Sequence, residues 1–228
     1  VIDGLLQVSG SNANLFLMNP AGIVFGANAQ LDVPGSFTAT TATGIGFGDQ
    51  WFNAIGENNY AALIGNPNQF AFTEGQPGSL FNEGNLNVSS GHRLMLLGGT
   101  VINTGTLTAP EGLVTVAAIP GEQLVRIRHD DMILSLDFAP IPDDSPAFSP
   151  LPFTPLSLPD LLTGSAAQHH ANTIRFNDDG SIHIAQVEPS DHLGSTIDGA
   201  IATQPGTAII SGTIDVSPLD AIDIPTVD

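Results

Sequence analysis

An internal repeat of 21 residues is the feature that most constrains how this chain can fold. The segment SLFNEGNLNVSSG, which begins at Ser79, aligns without gaps with TVINTGTLTAPEG, which begins at Thr100. Four pairs of aligned residues are identical: Asn82 and Asn103, Gly84 and Gly105, Leu86 and Leu107, and Gly91 and Gly112. Because a unit this short cannot bury its own apolar face, it must stack on a neighbouring unit.

Each unit contains three short runs of strand-forming residues, separated by Gly, Asn, Ser or Pro. Leucine-rich repeats have a similar period, but their L-x-x-L-x-L frame is missing here. The pattern predicts an all-β fold, a right-handed parallel β-helix with three short strands per coil of about 21 residues and with excursions outside the helix. Leu86 should then stack on Leu107 in an interior ladder.

The polar and glycine positions of the repeat are expected at the corners between strands. The Asn82 and Asn103 amides should meet there, one above the other. Gly84 and Gly105 are predicted to supply a positive φ at the same corners, which other residues adopt less readily.

Weaker echoes of the repeat occur on both sides. One is the segment GTIDV, in which Ile214 follows Leu107 by 107 residues. This separation is close to five periods. An earlier echo is QLDVPG, which begins at Gln30 and is separated from the repeat by a longer gap.

Two stretches interrupt the repeat and divide the chain. Residues 43–78 contain the only Trp and the only Tyr, and are predicted to be an excursion from a β-helix core spanning 1–137. Residues 138–165 are rich in proline, which removes strand hydrogen-bond donors, and are expected to form a loop with one helical turn at Leu158–Leu162. Strand-like sequence resumes in 166–228, predicted to continue the coils to an acidic end.

Composition excludes several classes of function. The formal net charge is −19 and only four residues are basic, so the chain lacks the basic surface that nucleic-acid binding requires. It contains no Cys, which excludes disulfides and thiolate chemistry. No apolar run approaches the ~20 residues that span a bilayer, so we expect no membrane insertion. We also expect a monomer.

One segment near the start resembles a known family. The apolar run NLFLM, which begins at Asn14, leads into NPAGI at Asn19–Ile23, then a second strand and the phrase GSFTATTA from Gly35. This order resembles the haemagglutination-activity region of two-partner secretion exoproteins, the filamentous haemagglutinin and large adhesin family, and is closest to its cyanobacterial members. The resemblance covers about residues 1–137, with Ala21 in place of a second Asn.

The resemblance implies a function in secretion without enzyme activity. Members of this family carry a secretion-recognition domain, which passes through the periplasm of Gram-negative bacteria and engages the POTRA domains of a dedicated outer-membrane β-barrel transporter. The exoprotein then folds outside, secreted or at the cell surface. A further motif, Asn-Pro-Asn-Leu, a capping segment and a signal peptide are expected upstream of the sequence in hand.

The Asn-Pro-Ala-Gly sequence predicts a turn on its own chemistry. Asn at the first position, Pro at the second and Gly at the fourth suit a type I turn between two buried strands. Two interpretations stay open: the turn only closes the coil, or it is also recognised by the transporter. The transporter-recognition candidates are Asn19, Pro20, Ala21, Gly22 and Ile23.

A carbohydrate-binding or carbohydrate-cleaving β-helix module is the alternative, because some parallel β-helices act as polysaccharide lyases. The nearest candidate cluster is Arg126, Arg128, Asp130 and Asp131, which we interpret as a solvated strand face that ends in an acidic turn. Asn177–Gly180 lacks the spacing of an EF-hand calcium loop, and the histidines lack metal-ligand spacing. We therefore expect no catalytic residue, no metal and no cofactor.

Overall fold

The computed structural model describes residues 1–10, 12–130, 133–141, 148–156, 158–163, 173–176, 182–185, 200–201 and 206–218. The strands in the first half are β1 (Leu5–Gln7), β2 (Leu15–Met18), β3 (Ile23–Phe25), β4 (Gln30–Asp32), β5 (Phe37–Thr40), β6 (Gly44–Phe47), β7 (Gln50–Asn53), β8 (Gln69–Phe72), β9 (Ser79–Asn82), β10 (Asn85–Asn87) and β11 (Arg93–Gly98). Those that follow are β12 (Thr100–Asn103), β13 (Thr106–Thr108), β14 (Leu113–Ala118), β15 (Gln123–Asp130), β16 (Ile133–Pro140), β17 (Thr173–Phe176), β18 (Ile182–Ala185), β19 (Ala200–Ile201), β20 (Thr207–Ile210) and β21 (Thr213–Asp215). A 3₁₀ turn spans Tyr60–Ala62 and one helix, α1, spans Leu158–Thr163.

Three parallel sheets form the main body. Sheet I has the order β20-β12-β9-β3, sheet II the order β1-β4-β10-β13-β21, and sheet III the order β14-β11-β5-β2. The chain passes through the three sheets in turn, for example through β9, β10 and β11 and then through β12, β13 and β14. The predicted fold class, an all-β parallel β-helix, is confirmed.

The predicted leucine ladder lies inside the coil. Leu86 pairs with Leu107 in register and both side chains are buried. Leu6 pairs with Leu31 at one end of the sheet, and Leu107 pairs with Ile214 at the other. Although Ile214 follows Leu107 by 107 residues, close to five periods, the two residues are direct neighbours. The intervening residues leave the helix and return to it.

The interior is apolar because every second side chain of each strand points inward. Phe25 and Phe37 meet there edge to face, with ring centroids 6.0 Å apart. The buried residues of this core are Ile23, Phe25, Ala29, Phe37, Ala39, Leu80, Leu86, Val88, Leu94, Leu96, Val101, Leu107 and Ala109.

The predicted contact between the repeat asparagines is confirmed. Asn82 Nδ2 donates to Asn103 Oδ1 at 2.7 Å, and both residues are fully buried. Each side chain also bonds to its own corner: Gly84 N donates to Asn82 Oδ1 at 3.2 Å, and Asn103 Nδ2 donates to the Gly105 carbonyl at 3.1 Å. The amides therefore satisfy polar groups that the corner would otherwise leave buried without partners.

The prediction that Gly84 and Gly105 supply positive φ is wrong, since neither is among the positive-φ residues. What excludes a side chain is the stacked backbone. A Cβ atom at Gly84 would lie 2.6 Å from the carbonyl oxygen of Ala29, and one at Gly105 would collide with the carbonyl oxygen of Gly84. Gly212 stands in the same relation to Gly105 in the next coil. The column of glycines lets successive coils approach closely.

Both long departures from the helix leave between sheet III and sheet I. The first runs from β5 to β9 and contains β6, β7 and β8; the second runs from β14 to β20. Strands from the two departures join in one antiparallel sheet, sheet IV, with the order β16-β15-β8-β6-β7. A further antiparallel sheet contains β17, β18 and β19. The boundaries of units proposed from sequence stay a prediction.

Sheet IV covers the outer face of sheet III. Met95 and Leu97 of β11 point away from the helix interior and are buried against Phe70 and Phe72 of β8. The complete second cluster is Ala42, Ile45, Phe70, Phe72, Met95, Leu97, Ile119 and Val125. A side of the coil that would otherwise expose large apolar residues is thus closed by the excursions.

The helical turn predicted at Leu158–Leu162 is confirmed as α1. It packs on the outer face of sheet I, where Leu158 is buried against Val24, Phe81 and Ile102. In the described part of the chain, no helix combines the length and the apolar character that crossing a bilayer would demand.

Replacing Leu107 with Asp tests the interior ladder. The variant buries a carboxylate without a partner and removes a core leucine, so we expect it to lower the free energy of unfolding by about 3–5 kcal/mol. Asn85→Asp, which adds the same charge at an exposed position of the neighbouring strand, should change it little. Equal urea midpoints for the two variants would rule out this register.

The glycine columns make a separate prediction. Gly105→Ala should destabilise the chain more than Gly91→Ala, although only Gly91 has a positive φ, of +76°. No atom lies within 4 Å of a Cβ at Gly91, so that variant should lose only about 1–2 kcal/mol from backbone strain. Denaturant unfolding of both variants gives the order, and the reverse order would contradict the close-approach explanation.

Candidate functional site

The Asn19–Ile23 turn connects β2 of sheet III to β3 of sheet I. Gly22 N donates to the Asn19 carbonyl at 3.1 Å, which closes the predicted β-turn. Ala21 N donates to Asn19 Oδ1 at 3.1 Å, so the asparagine side chain braces the turn from within. Gly22 has a φ of +120°, a backbone conformation that requires glycine.

The residues of this turn differ in their exposure. Asn19 is exposed and Ala21 is half-buried. Pro20, Gly22 and Ile23 are buried, and Ile23 belongs to the interior core. In the folded chain, a partner can therefore reach the Asn19 side chain and part of Ala21, whereas the other three residues hold the corner together.

The turn is the first of four stacked corners, a feature that the sequence interpretation missed. A glycine stands directly before each strand of sheet I, namely Gly22, Gly78, Gly99 and Gly206. Gly99 N donates to the Gly78 carbonyl at 2.9 Å, and Gly206 N donates to the Gly99 carbonyl at 2.6 Å. A Cβ atom at Gly78 would collide with the carbonyl oxygen of Pro20. Glycine before a strand in successive coils was the available sequence signal.

A later segment of the chain contacts the turn from outside. Leu156 N donates to the Ala21 carbonyl at 3.3 Å. The Leu161 side chain of α1 lies against Gly22, where an added Cβ would come within 2.9 Å of Leu161 Cδ1. These contacts, together with the buried Pro20, place the turn between the corner stack and the end of the proline-rich segment.

Most of the enzyme-like candidates lie along one strand, β15. Arg126 lies on β15 opposite Asp137 of β16, with Arg128 and Asp130 further along β15. Asp131 and the predicted turn at Asn177–Gly180 lie outside the described residues. Within the residues that the structure describes, no group of three His, Cys, Asp or Glu residues could hold a metal ion.

A shallow cleft lies where sheet III meets the excursion that ends in β8. Its polar wall is formed by Asn14, Ser36 and Arg93, and its apolar wall includes Phe16 and Ile127. The polar side chains bond to the backbone of neighbouring coils: Asn14 Oδ1 accepts from Ser36 N at 2.8 Å, and Ser36 Oγ accepts from Arg93 N at 3.0 Å. These bonds give the wall a role in joining coils.

Among the residues that the structure describes, two aspartates have a lowered pKa, and neither is in the Asn19–Ile23 turn. The backbone N–H and side-chain amide of Asn28 donate to the Asp3 carboxylate at 3.0 and 3.1 Å and lower its pKa. The backbone N–H of Ser217 does the same for Asp215 at 2.9 Å. Both shifts come from hydrogen bonds to the charged form at corners, so they indicate a structural role.

The three stacked parallel sheets and their covered outer faces define a parallel β-helix domain. The family model of the TPS secretion domain matches residues 1–143, more than half of the chain, and the chain therefore belongs to this two-partner secretion family. It is a secretion domain, its exoprotein is exported by a two-partner system, and the transporter of that system is its partner. Comparisons with curated proteins and with solved structures returned no match.

Asp3 provides a test of the pH dependence. Its pKa in the folded chain lies below the ordinary value of 3.8, so its stabilising effect is present above that value and is lost as the pH falls through the folded pKa. Asp3→Asn should be less stable than the wild type at pH 7, and the difference in melting temperature should shrink towards pH 2. A constant difference across the titration would contradict the assignment.

Proposed function

We propose that the POTRA domains of a cognate outer-membrane β-barrel transporter recognise this domain at the Asn19–Ile23 turn. The observation that carries the proposal is the exposure of Asn19 in a corner whose other residues are largely buried. Bracing the turn uses only the Oδ1 atom of Asn19, so closing the coil gives no role to its Nδ2 donor. The proposal thus assigns Asn19 to contact with the transporter and Pro20, Ala21, Gly22 and Ile23 to holding it in place.

The two ends of the Asn19 amide have different roles. Oδ1 accepts the hydrogen bond from Ala21 N, at 3.1 Å. Among the described residues, none accepts a hydrogen bond from Nδ2, which leaves this donor for a carbonyl or carboxylate of the partner. An aspartate at this position would keep the acceptor that braces the turn and would lose the donor.

The strand before the turn offers a second means of contact. β2 is the edge strand of sheet III and pairs only with β5 among the described strands. An unpaired strand edge presents backbone N–H and C=O groups to which a strand of another protein can add. We include this edge in the recognition surface because β2 ends directly at the turn.

The proposal extends to folding after export. Successive coils pair strand on strand, as in the direct stacking of β13 on β10. A chain without cysteines can pass the transporter extended, and the first coils can then template the next ones outside the cell. In this proposal the domain is secreted or displayed at the cell surface, carries no catalytic step and needs no cofactor.

Asn19→Asp tests recognition separately from folding. We expect the variant to have the melting temperature of the wild type, because the side-chain oxygen still accepts the hydrogen bond from Ala21 N. It should bind the purified POTRA region of the cognate transporter more weakly, by about tenfold, which corresponds to the loss of one charge-sensitive hydrogen bond of about 1.4 kcal/mol. Titration with the POTRA region and a secretion assay measure the two effects.

Two further variants bracket this result. Asn85→Asp adds the same charge on sheet II and should bind and be secreted as the wild type is. Gly22→Val should impair folding and binding together, because its φ is +120° and Leu161 occupies the space of a side chain. If Asn19→Asp is bound and secreted normally at matched stability, the turn only closes the coil, and the transporter recognises another surface.

A further inference from the structure

A segment that follows the antiparallel excursion crosses the outside of the Asn19–Ile23 turn. We name it the strap and define it as residues 148–156 and 158–163. At its start, the Phe148 ring packs edge to face on Trp51 of sheet IV, with centroids 5.1 Å apart. At its end, α1 lies on sheet I, where Leu158 is almost fully buried. The strap therefore bridges sheet IV and sheet I across the corner.

The strap lies against the turn at residues next to Asn19, whose side chain itself stays exposed. It holds the Ala21 carbonyl through the Leu156 N–H at 3.3 Å and places Leu161 over Gly22. Beside the turn, Leu158 covers an apolar strip of sheet I that includes Val24 and Phe81. A transporter domain large enough to contact Asn19 and the edge of β2 would overlap with this segment.

The strap is held mainly by apolar side chains. Four of its residues, Pro150, Pro152, Pro155 and Pro159, have no backbone N–H to donate to the surface beneath. None of its described residues adds a strand to any of the sheets, so it can leave without breaking one. It also begins after residue 143, where the match to the TPS secretion domain ends. These features describe a detachable element added to the common domain.

We propose that the strap and the transporter compete for the Asn19–Ile23 turn, so that docking of the strap releases the domain from the transporter. The inference rests on the proposed function. The turn precedes the strap by more than 120 residues. It therefore meets the transporter before the surface on which the strap docks is complete. Once sheet IV and the coils have formed, the strap closes over the corner and the contact with the transporter is lost.

Competition makes a quantitative statement about binding. If only strap-open molecules bind, the apparent dissociation constant is the intrinsic constant divided by the fraction of open molecules. A strap that is open in about 1–10% of molecules therefore weakens binding by roughly tenfold to a hundredfold. A permanently open strap should remove this loss of affinity for the transporter, and a locked strap should weaken the binding further.

A reversible lock tests the proposal within one molecule. The chain has no cysteines, so Ala21→Cys combined with Leu156→Cys introduces a single possible disulfide. The backbones of the two residues are joined by a hydrogen bond, which brings them within the range that a disulfide spans. We expect the oxidised protein to bind the purified POTRA region at least about tenfold more weakly than the same protein after reduction.

The opposite change uses Leu158→Ser with Leu161→Ser to detach the strap. This variant should bind more tightly than the wild type, whereas Phe153→Ser, at an exposed strap position, should bind as the wild type does. A circular dichroism spectrum checks that the β-helix persists. The lock needs no such check, because its oxidised and reduced forms share one sequence.

The outcomes separate this inference from the proposed function. Equal binding by the oxidised and reduced lock, with Asn19→Asp still weakened, would overturn the strap proposal and leave recognition at the turn standing. No binding by the wild type, the reduced lock or the detached variant would overturn recognition at the turn and the strap with it. If the oxidised lock binds weakly while the reduced lock, the detached variant and the wild type bind, both proposals are supported.

Discussion

Close stacking of one backbone on the next is the constraint on which the rest of this structure depends. At Gly84 and Gly105, and at Gly78 and Gly99 before two strands of sheet I, a Cβ atom would strike a carbonyl oxygen of the adjacent coil. Only when the coils approach to this distance can the buried Asn82 and Asn103 amides meet and the interior leucines pack in register. Backbone contact thus determines the ladder, and side-chain burial then stabilises it.

The same constraint explains why both insertions occur at one corner. Three sheets must stay in register along the helix, so additional chain has to leave between strands and return to the same position. Here it leaves between sheet III and sheet I. The two departures pair with each other in one sheet, since β8 pairs with both β6 and β15. The resulting sheet IV buries the outer face of sheet III. An inserted segment has therefore become part of the core.

Function follows from what the stack leaves uncovered. Most of the Asn19–Ile23 turn is buried by the corner, and the strap covers the carbonyl of Ala21 and the backbone at Gly22. Among the described residues of this corner, Asn19 is exposed and β2 is an edge strand. In the proposed function, a transporter recognises these groups early, and the strap ends the contact after folding.

The local pattern was sufficient for the coil, because Leu86 and Leu107, or Asn82 and Asn103, are close in sequence and related by one short period. The helical turn in the strap and the β-turn at Asn19 were likewise predictable, since both depend on neighbouring residues. The partnership of Leu107 with Ile214 was not, because the length of an inserted segment carries no information about where the chain returns. Nor could sequence show that Gly84 is needed for space and not for its φ, or that the strap lies on the turn. Those features depend on which distant backbones come into contact, and only the tertiary structure decides that.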